Sequence, residues 1–363
     1  MRFAVIGAGV IGRTHAQTIQ ALGPRAELAA VVDVVPERAQ KLAGELGVDA
    51  LTSVDEALAR SDVDAVTIGT PSGLHADAAV AAIDAGKHVI VEKPIEIRLD
   101  AARRIQEAEQ RSDRTVMVVS QHRHDPASLI VHEALEAGKF GTLTSGNAVM
   151  SWWRSQGYYD SGDWRGTWAL DGGGALMNQG IHTIDLFTWF LGEPVEVYAV
   201  AGLLAHERIE VEDTAVATVR FANGALGVVH GTTAAYPGLS THVRVHGDRG
   251  SAVIDQNKLT YYHAADEQSD AYAYGAGGRA NQAEAVLAEH GYGAEKSDDD
   301  EPTVAGLTAT SHSTQFADFL DAVEQGRRPL VTVEQGIRTL ALIRGIYESA
   351  RTQSPVKIKE LTS

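Results

Sequence analysis

The chain has 363 residues and no cysteine, and its 31 basic and 48 acidic residues give it a net charge of −17. Because single hydrophobic cores stop growing at roughly 250 to 300 residues, this length favours two domains. The negative charge argues against nucleic acid or an anionic membrane as a partner, and the lack of cysteine excludes disulfides, thiolate catalysis and iron–sulfur clusters. The sequence shows neither a signal-peptide pattern nor a membrane-span pattern, so we expect a cytoplasmic protein that acts on a small molecule.

Short β-branched segments alternate with longer, alanine-rich segments of helical period through the first third of the chain. This alternation is typical of βαβ units in a parallel sheet that is covered on both faces. The predicted strands are Phe3–Ile6, Leu28–Val32, Ala65–Ile68, His88–Val91 and Thr115–Val119. The predicted helices are Ile11–Leu22, Pro36–Leu46, Val54–Ala59, His75–Ala85 and Asp100–Arg111. We therefore predict a parallel α/β domain over residues 1–121.

From about residue 121 the pattern changes to a few helices and a series of strands that follow one another directly. The predicted helices are Pro126–Glu136, Gln179–Leu191, Ser313–Gln325 and Val333–Thr352. The predicted strands are Val195–Leu203, Thr214–Phe221, Ala225–Thr233, Thr241–His246, Gly250–Ile254 and Lys258–Tyr262. Turn signals between these strands predict an antiparallel sheet, and hence an α+β domain over residues 122–363. Residues 263–306 carry ten acids and two bases, and we interpret them as a solvated acidic insertion.

A glycine-rich loop follows the first predicted strand and opens the first predicted helix. It reads Gly7, Ala8, Gly9, Val10, Ile11 and Gly12. Such glycines allow a tight turn and a close approach of backbone amides to a pyrophosphate at a helix N-terminus. Asp33 ends the second predicted strand, 21 residues after Gly12, where it can accept hydrogen bonds from the adenosine ribose. The alternative is a plain glycine turn beside a surface aspartate.

The cofactor expected in this loop is NAD, because the carboxylate of Asp33 would repel the 2′-phosphate of NADP. Arg38, early in the next helix, leaves NADP open, since it could reach that phosphate. A solvated arginine on the helix surface is the other interpretation of Arg38.

Polar residues also follow two later strands of the parallel sheet. Glu92, Lys93 and Pro94 follow one strand, and Thr70 and Pro71 follow the strand before it. The carboxyl ends of parallel strands are where ligands bind in such folds.

In the predicted second domain, a glycine-rich segment leads into a helix that carries Asn178, His182 and Asp185. Their spacings of four and three residues place the three side chains on one helical face.

Together these motifs resemble those of the Gfo/Idh/MocA oxidoreductases, which include glucose–fructose oxidoreductase and inositol dehydrogenase. The resemblance covers nearly the whole chain outside residues 263–306, and it includes the segment from Gly172 to Asp185. It implies an NAD(P)-binding Rossmann domain followed by an α+β domain whose large, mostly antiparallel open sheet mediates homodimers or homotetramers. The last helices either belong to that second domain or pack back on the Rossmann domain. The implied substrates are cyclic sugars, polyols and their derivatives.

The resemblance also assigns roles to residues. Lys93 matches the family's cleft lysine, which would hydrogen-bond the substrate's developing alkoxide, and His182 matches its acid/base histidine. Asp185 either orients the substrate or the imidazole, or makes a packing hydrogen bond. Many relatives have an aspartate where this chain has Asn178, so the charge that would raise the basicity of the histidine is missing. The cofactor contacts expected from these segments are Thr70, Pro71, His75, Glu92 and Lys93, with a cap or packing role as the alternative for His75.

An aromatic stretch in the predicted second domain carries four of the five tryptophans. Aromatic faces stack on sugar rings, so a carbohydrate pocket is one interpretation and core packing is the other. Tyr158 and Arg165 are the predicted substrate contacts in this stretch, together with Lys93, Asn178 and His182. Further cleft candidates are Gln121, His122, Arg123 and His312. We predict no metal, because His122, His124 and Asp125 do not have the spacing of a known site.

Two other functions fit the same motifs. One is a protein that senses NAD without chemistry, although Lys93 and His182 argue against it. The other is a glycosidase that oxidises its substrate transiently and recycles bound NAD.

Overall fold

The computed structural model describes residues 1–265, 280–292 and 309–362. These residues form two compact units. The first unit comprises Met1–Gln121, Trp164–Gly172 and the described part of Thr303–Leu340. The second comprises His122–Asp163, the described part of Gly173–Pro302, and Ala341–Ser363 up to residue 362. This division differs from the expected boundary at residue 121, because residues 164–172 and 309–340 belong to the first unit.

Most predicted elements are present with bounds that differ by one or two residues. The strands are β1 (Arg2–Ile6), β2 (Glu27–Val32), β3 (Asp49–Leu51), β4 (Ala65–Ile68), β5 (His88–Val91), β6 (Val116–Val118), β7 (Leu143–Ser151), β8 (Pro194–Gly202), β9 (Thr214–Phe221), β10 (Leu226–Thr232), β11 (Thr241–Gly247), β12 (Gly250–Asp255), β13 (Lys258–Ala264) and β14 (Val356–Lys357). The helices are α1 (Val10–Ala21), α2 (Pro36–Leu46), α3 (Val54–Leu58), α4 (His75–Asp84), α5 (Leu99–Gln110), α6 (Pro126–Glu136), α7 (Gln156–Tyr159), α8 (Ile181–Leu191), α9 (Ala283–Glu289), α10 (Ala309–Gln325), α11 (Val333–Thr352) and α12 (Ile358–Thr362).

The first unit contains the predicted parallel sheet, with six strands in the order β3-β2-β1-β4-β5-β6. All of its paired strands run parallel, which brings the loops after β1, β4 and β5 to one edge of the sheet. Helix α10 belongs to the core of this unit, because Phe316 and Phe319 pack in the same buried cluster as Phe3 of β1 and Ile19 of α1. The sequence predicts α10 as a helix, and of the two alternatives for the last helices this one follows the second, since its large apolar side chains pack in the core of the first unit.

The second unit contains an eight-stranded sheet in the order β13-β12-β11-β7-β10-β9-β8-β14. Its pairings are antiparallel except for β7 with β10, which run parallel. Strand β7 was not predicted, because its sequence mixes Thr, Ser, Gly and Asn with a few apolar residues. Helix α8 contacts β7 and β11. The strict burial alternation along β9 leaves every second side chain exposed, so one face of this sheet is open within the described chain.

The acidic region 263–306 is only partly described. Residues 280–292 are mostly exposed, but they include a helix, α9, that buries Ala283 and Val286. The N–H of Gln282 donates to the carbonyl of Tyr262 in β13 at 2.7 Å, which ties this segment to the sheet. Residues 266–279 and 293–306, with the acidic run at 298–301, lie outside the described residues. Among the helices that are described, none combines the length and the apolar composition that crossing a membrane requires.

Candidate active site

The glycine loop between β1 and α1 has the backbone shape that a dinucleotide phosphate needs. Gly7 has a φ of +102°, and a Cβ added there would lie 2.7 Å from the carbonyl oxygen of Gly69. A Cβ on Gly12 would lie 1.7 Å from the oxygen of Gly7, whereas a Cβ on Gly9 would meet nothing within 4 Å. Gly9 is the N-cap of α1 and has no side chain to accept from the first N–H groups of the helix. An anionic phosphate can supply that acceptor.

Asp33 stands at the end of β2 and is joined to this loop. Its Oδ2 accepts from the backbone N–H of Ala8 at 2.9 Å, and its Oδ1 accepts from that of Val35 at 2.9 Å. These bonds fix the carboxylate beside the glycine loop, as a ribose-binding acid requires in such a fold. Arg38 is exposed in the first turn of α2, so both interpretations of it still stand.

His75 links the loops that follow β4 and β5. Its ring is buried, with Nδ1 2.8 Å from the carbonyl oxygen of Pro94 and Nε2 3.0 Å from that of Thr70. Both ring nitrogens therefore face protein carbonyls, which contradicts the prediction that this side chain binds the cofactor. The structure favours the alternative of a packing residue, and this residue holds the Thr70-Pro71 loop against the Lys93-Pro94 loop.

Glu92 holds the start of the Lys93 loop from inside the protein. Its Oε2 accepts from the backbone N–H of Lys93 at 2.8 Å, and its Oε1 lies 3.1 Å from Nε2 of His15. Burial raises the pKa of Glu92, but the hydrogen bond and charge of His15, with the charges of Lys93 and His312, lower it to about 2. Both carboxylate oxygens are therefore engaged by groups of the protein, which favours a structural role for this side chain, and a contact with the cofactor stays a prediction. Lys93 itself is partly exposed at the carboxyl end of β5.

The group His15, Glu92 and His312 has the side chains of a metal site. All three are buried, and one ligand atom from each lies within 4.8 Å of the others. The separation between His15 and Glu92 is that of a hydrogen bond, and Thr67 lies 2.7 Å from the second nitrogen of His15. A buried hydrogen-bonded relay accounts for these contacts, and the expectation of no metal stays a prediction. His312 was predicted as a cleft residue, but it is 2% exposed.

In the second unit, the predicted helix begins earlier and with a different winding. Residues Ala175–Gly180 form a turn of π-helix, and α8 continues from Ile181. A π turn has no composition of its own, so the sequence could not predict it, and such turns are frequent at functional sites. Asn178 lies in this π turn and His182 in the first turn of α8.

Two distant side chains hold the N-terminal end of this helix. Glu212 accepts from the backbone N–H groups of Gly174 at 3.0 Å and Leu176 at 2.9 Å. The hydroxyl of Tyr347 donates to Glu212 at 2.9 Å and accepts from the N–H of Met177 at 3.2 Å. Burial raises the pKa of Glu212 to about 7, against the lowering effect of these donors. Sequence reasoning missed both residues.

The same contacts explain the run of glycines before the helix. A Cβ on Gly173 would lie 2.2 Å from the hydroxyl oxygen of Tyr347, and one on Gly174 would lie 1.8 Å from the backbone oxygen of Glu212. Both distances are far below van der Waals contact, so larger residues would displace the π turn.

Solvent exposure distinguishes two positions of this helical segment. From Asp171 to Leu191 every residue is buried except Asn178 and His182, which are partly exposed. Two polar side chains spaced by four residues therefore reach the surface of the unit from an otherwise buried segment. Asp185 does not share this exposure, because its two carboxylate oxygens accept from Nε and Nη2 of Arg123, each at 2.7 Å. The packing alternative for Asp185 thus fits the structure, and a role in orienting the substrate or the imidazole stays a prediction.

The segment that follows β6 also reaches His182. The ring of His122 meets that of His182 edge to face, with centroids 5.2 Å apart and an interplanar angle of 86°. Nδ1 of His122 lies 2.7 Å from Oδ2 of Asp125. Arg123 is buried, with its guanidinium 5.0 Å from the ring centroid of Trp189. His122 was a cleft candidate from the sequence, and the structure brings it to His182, whereas Arg123 and Gln121 are buried.

The two predicted substrate contacts of the aromatic stretch lie in different units. In the second unit, the hydroxyl of Tyr158 accepts from Nε2 of Gln179 at 2.7 Å. The guanidinium of Arg154 lies 5.3 Å from the Tyr158 ring centroid and donates to Oε1 of Gln179 at 2.8 Å. In the first unit, the guanidinium of Arg165 lies 4.6 Å from the ring centroid of Trp164. Both predicted residues are partly exposed, so a substrate role for them stays a prediction.

Comparison with known families matches both units. Residues 1–120 match an oxidoreductase family described as having an NAD-binding Rossmann fold, and residues 129–253 match the GFO/IDH/MocA C-terminal domain. The chain is 27% identical to the myo-inositol 2-dehydrogenase of Thermotoga maritima, with 99% of each chain covered.

Two solved structures are similar along nearly the whole chain. The WlbA dehydrogenase of Bordetella pertussis, in complex with NADH and UDP-GlcNAcA, has a TM-score of 0.82 and 30% sequence identity over 98% of each chain. A levoglucosan dehydrogenase in complex with NADH and levoglucosan has a TM-score of 0.82 and 25% identity over 99% of each chain.

Proposed function

Because the chain belongs to the GFO/IDH/MocA family of NAD-binding oxidoreductases, we propose that it transfers hydride between a secondary alcohol of a cyclic sugar or polyol and NAD. The observation that carries the proposal is the isolated exposure of Asn178 and His182 in a buried helix. Similar proteins named for inositol and levoglucosan support the substrate class. NADP stays an alternative cofactor because of Arg38.

The glycine loop fits the cofactor, since it offers open space at Gly9, an uncapped helix N-terminus and the fixed carboxylate of Asp33. We assign the loop from Gly7 to Gly12 to the pyrophosphate and Asp33 to the adenosine ribose. Thr70 and Pro71, at the same sheet edge, are the further proposed contacts. When bound, NAD supplies a nicotinamide that exchanges hydride at C4.

We assign the proton of the reacting hydroxyl to His182. An imidazole with an ordinary pKa near ~6.5 is suited to accept that proton and to return it in the reverse direction near neutral pH. Lys93 donates a hydrogen bond to the developing alkoxide and stabilises its charge. Asn178 hydrogen-bonds a substrate hydroxyl, and Tyr158 and Arg165 contact the sugar.

Substitution of the two catalytic residues tests this assignment. We expect His182→Ala and Lys93→Ala each to lower kcat by about 10²- to 10⁴-fold, because each removes a group that acts in the transition state. NAD binding should persist in both variants. The measurement is the absorbance of reduced nicotinamide with myo-inositol, levoglucosan and related sugars, supplying NAD and NADP in parallel.

His290→Gln is the matched control, since His290 pairs with Glu133 on the protein surface and should keep wild-type turnover. Wild-type rates in His182→Ala or Lys93→Ala would overturn the role of that residue. Cleavage of a glycoside without net reduced cofactor would favour the redox glycosidase, and binding of NAD with no turnover of any sugar would favour the sensor.

We also propose that the open face of the eight-stranded sheet forms a homodimer or homotetramer. Apolar side chains are exposed there on three neighbouring strands, namely Tyr198, Val200, Val216, Leu226 and Val228. Contiguous apolar patches of this kind mark interaction sites. A charge on the middle strand of the patch, as in Val216→Asp, should convert the oligomer to a monomer in sedimentation experiments, and Lys258→Asp on β13 is a control at an exposed polar position. A monomeric wild-type chain would contradict this proposal.

A further inference from the structure

Asn178 carries no charge, but a negatively charged side chain, Asp125, lies near His182. Asn178 can hydrogen-bond but carries no charge, so it cannot favour the protonated form of a nearby imidazole electrostatically. Across from His182, the ring of His122 makes the edge-to-face contact described above, and Oδ2 of Asp125 lies 2.7 Å from Nδ1 of His122. A carboxylate thus stands one side chain away from the proposed acid/base residue.

The local backbone fixes this carboxylate. Asp125 is the N-cap of α6, and its backbone oxygen accepts from the N–H groups of Ser128 at 2.9 Å and Leu129 at 3.1 Å. The helix is therefore capped by the main chain, and the side chain is directed to His122 instead of to the helix N–H groups. The side chains of His122 and Asp125 are 14% and 12% exposed, which limits how far water screens their charges.

We propose that His122 and Asp125 are positioning residues for His182. Asp125 fixes the orientation and tautomer of the His122 ring, with Nδ1–H donating to Oδ2. The fixed His122 ring then packs against His182 and restricts its rotation. The negative charge of Asp125 favours the protonated form of His182 and so strengthens it as a base. This inference rests on the proposed acid/base role of His182.

Other charged or titratable groups surround this arrangement within the second unit. Those on α8 and on the segments and elements packed against it are Asp185, Arg123, His124, His132, Glu133 and Glu136, together with His242, Arg244 and His246 on β11. Arg123 and Asp185 form a buried ion pair with each other. His132 stacks on Trp189, with ring centroids 3.9 Å apart, and burial lowers its pKa, which keeps it neutral near pH 7. Asp125 is therefore the carboxylate that reaches His182 through a single intervening ring.

The test measures the pKa of His182 directly, by NMR titration of the histidine rings in the full-length chain with NAD bound. The His182 signal is assigned as the one that His182→Ala lacks. Asp125→Asn keeps an acceptor for His122 but removes the charge, and we expect it to lower the pKa of His182 by about half a unit or more. His122→Phe keeps a ring against His182 but loses the bond to Asp125, and we expect it to increase the motion of the His182 ring. His290→Gln changes a histidine–carboxylate pair roughly two turns further along α6 and should leave the pKa unchanged.

An unchanged pKa of His182 in Asp125→Asn overturns the inference. If that variant does not fold, Asp125→Ser, which also removes the charge, is titrated instead, and an unchanged pKa of His182 has the same consequence. The outcomes separate this inference from the proposed function. Wild-type turnover in His182→Ala overturns the function even where the pKa shift occurs, whereas loss of turnover without a pKa shift in Asp125→Asn overturns this inference alone.

Discussion

Two buried glutamates hold the segments that carry the proposed catalytic residues, in opposite electrostatic settings. In the first unit, Glu92 binds the backbone of Lys93 and faces His15, and its pKa is lowered to about 2. In the second unit, Glu212 binds the turn that leads to Asn178, and its pKa is raised to about 7. Both side chains are almost fully buried.

The difference lies in the partners that offset burial. The carboxylate of Glu212 accepts from two backbone N–H groups and a tyrosine hydroxyl, which are neutral donors. Glu92 accepts from a neutral N–H as well, but His15 adds a group that can carry positive charge. Neutral hydrogen bonds satisfy the oxygens without replacing the hydration of a full charge, whereas a cationic partner offsets that loss. The two glutamates should therefore respond to pH with opposite signs.

The largest effect is expected for Glu92→Gln. The substitution leaves His15 without its carboxylate, and breaking such a buried pair costs about 3 to 5 kcal/mol of unfolding free energy near neutral pH. A lowered pKa means that the stabilisation is present above the unfolded value of 4.5 and is lost as the pH falls toward about 2. The stability gap between wild type and Glu92→Gln should therefore be widest at pH 7 and should narrow below pH 4.5. Urea denaturation, followed by tryptophan fluorescence, measures this gap.

The exposed pair of Arg98 and Asp100 in the same unit provides the control for Glu92. Asp100→Asn should cost less than about 1 kcal/mol, because surface ion pairs contribute little. If the difference in unfolding free energy between wild type and Glu92→Gln stays constant from pH 7 to pH 3, the stabilisation by Glu92 is not electrostatic in origin.

The sequence was sufficient for the parts of the fold that depend on local pattern. Strands β4 and β5 and helices α2, α6 and α11 occur at their predicted bounds, and the predicted Rossmann and α+β organisation is confirmed. Strand β7 was missed because its pairing with β10 compensates for a weak strand sequence.

The site depends more on long-range partners, and there the sequence was less informative. His75 and Glu92 were predicted to bind the cofactor because they stand beside the right loops, but the hydrogen-bond partners of their side chains are groups of the protein itself. Glu212 and Tyr347 are 135 residues apart and meet at one turn, a pairing that no local spacing indicates. The roles of Lys93 and His182 stay predictions.

Glu212→Gln tests the second glutamate. We expect a smaller change in the free energy of unfolding than for Glu92→Gln, and of opposite sign. A raised pKa means that the neutral carboxyl stabilises the fold fully below the unfolded value of 4.5, and that this stabilisation is lost as the pH rises through about 7. The shift corresponds to up to about 3 kcal/mol. Since Gln stays neutral, the variant should gain stability relative to wild type by up to that amount between pH 4.5 and pH 8.

Tyr347→Phe separates the charge of Glu212 from the hydrogen bonds around it. The variant keeps the ring but removes the donor to Glu212 and the acceptor for Met177, which should cost about 1 to 3 kcal/mol. Losing a donor raises the pKa of Glu212 further, so the fall in stability of this variant should move to higher pH than in wild type. The contrary outcome is that the stability of wild type and that of Glu212→Gln change in parallel above pH 4.5. This would show that Glu212 is ionised in the folded protein and that the neutral donors at the π turn suffice to stabilise a buried charge.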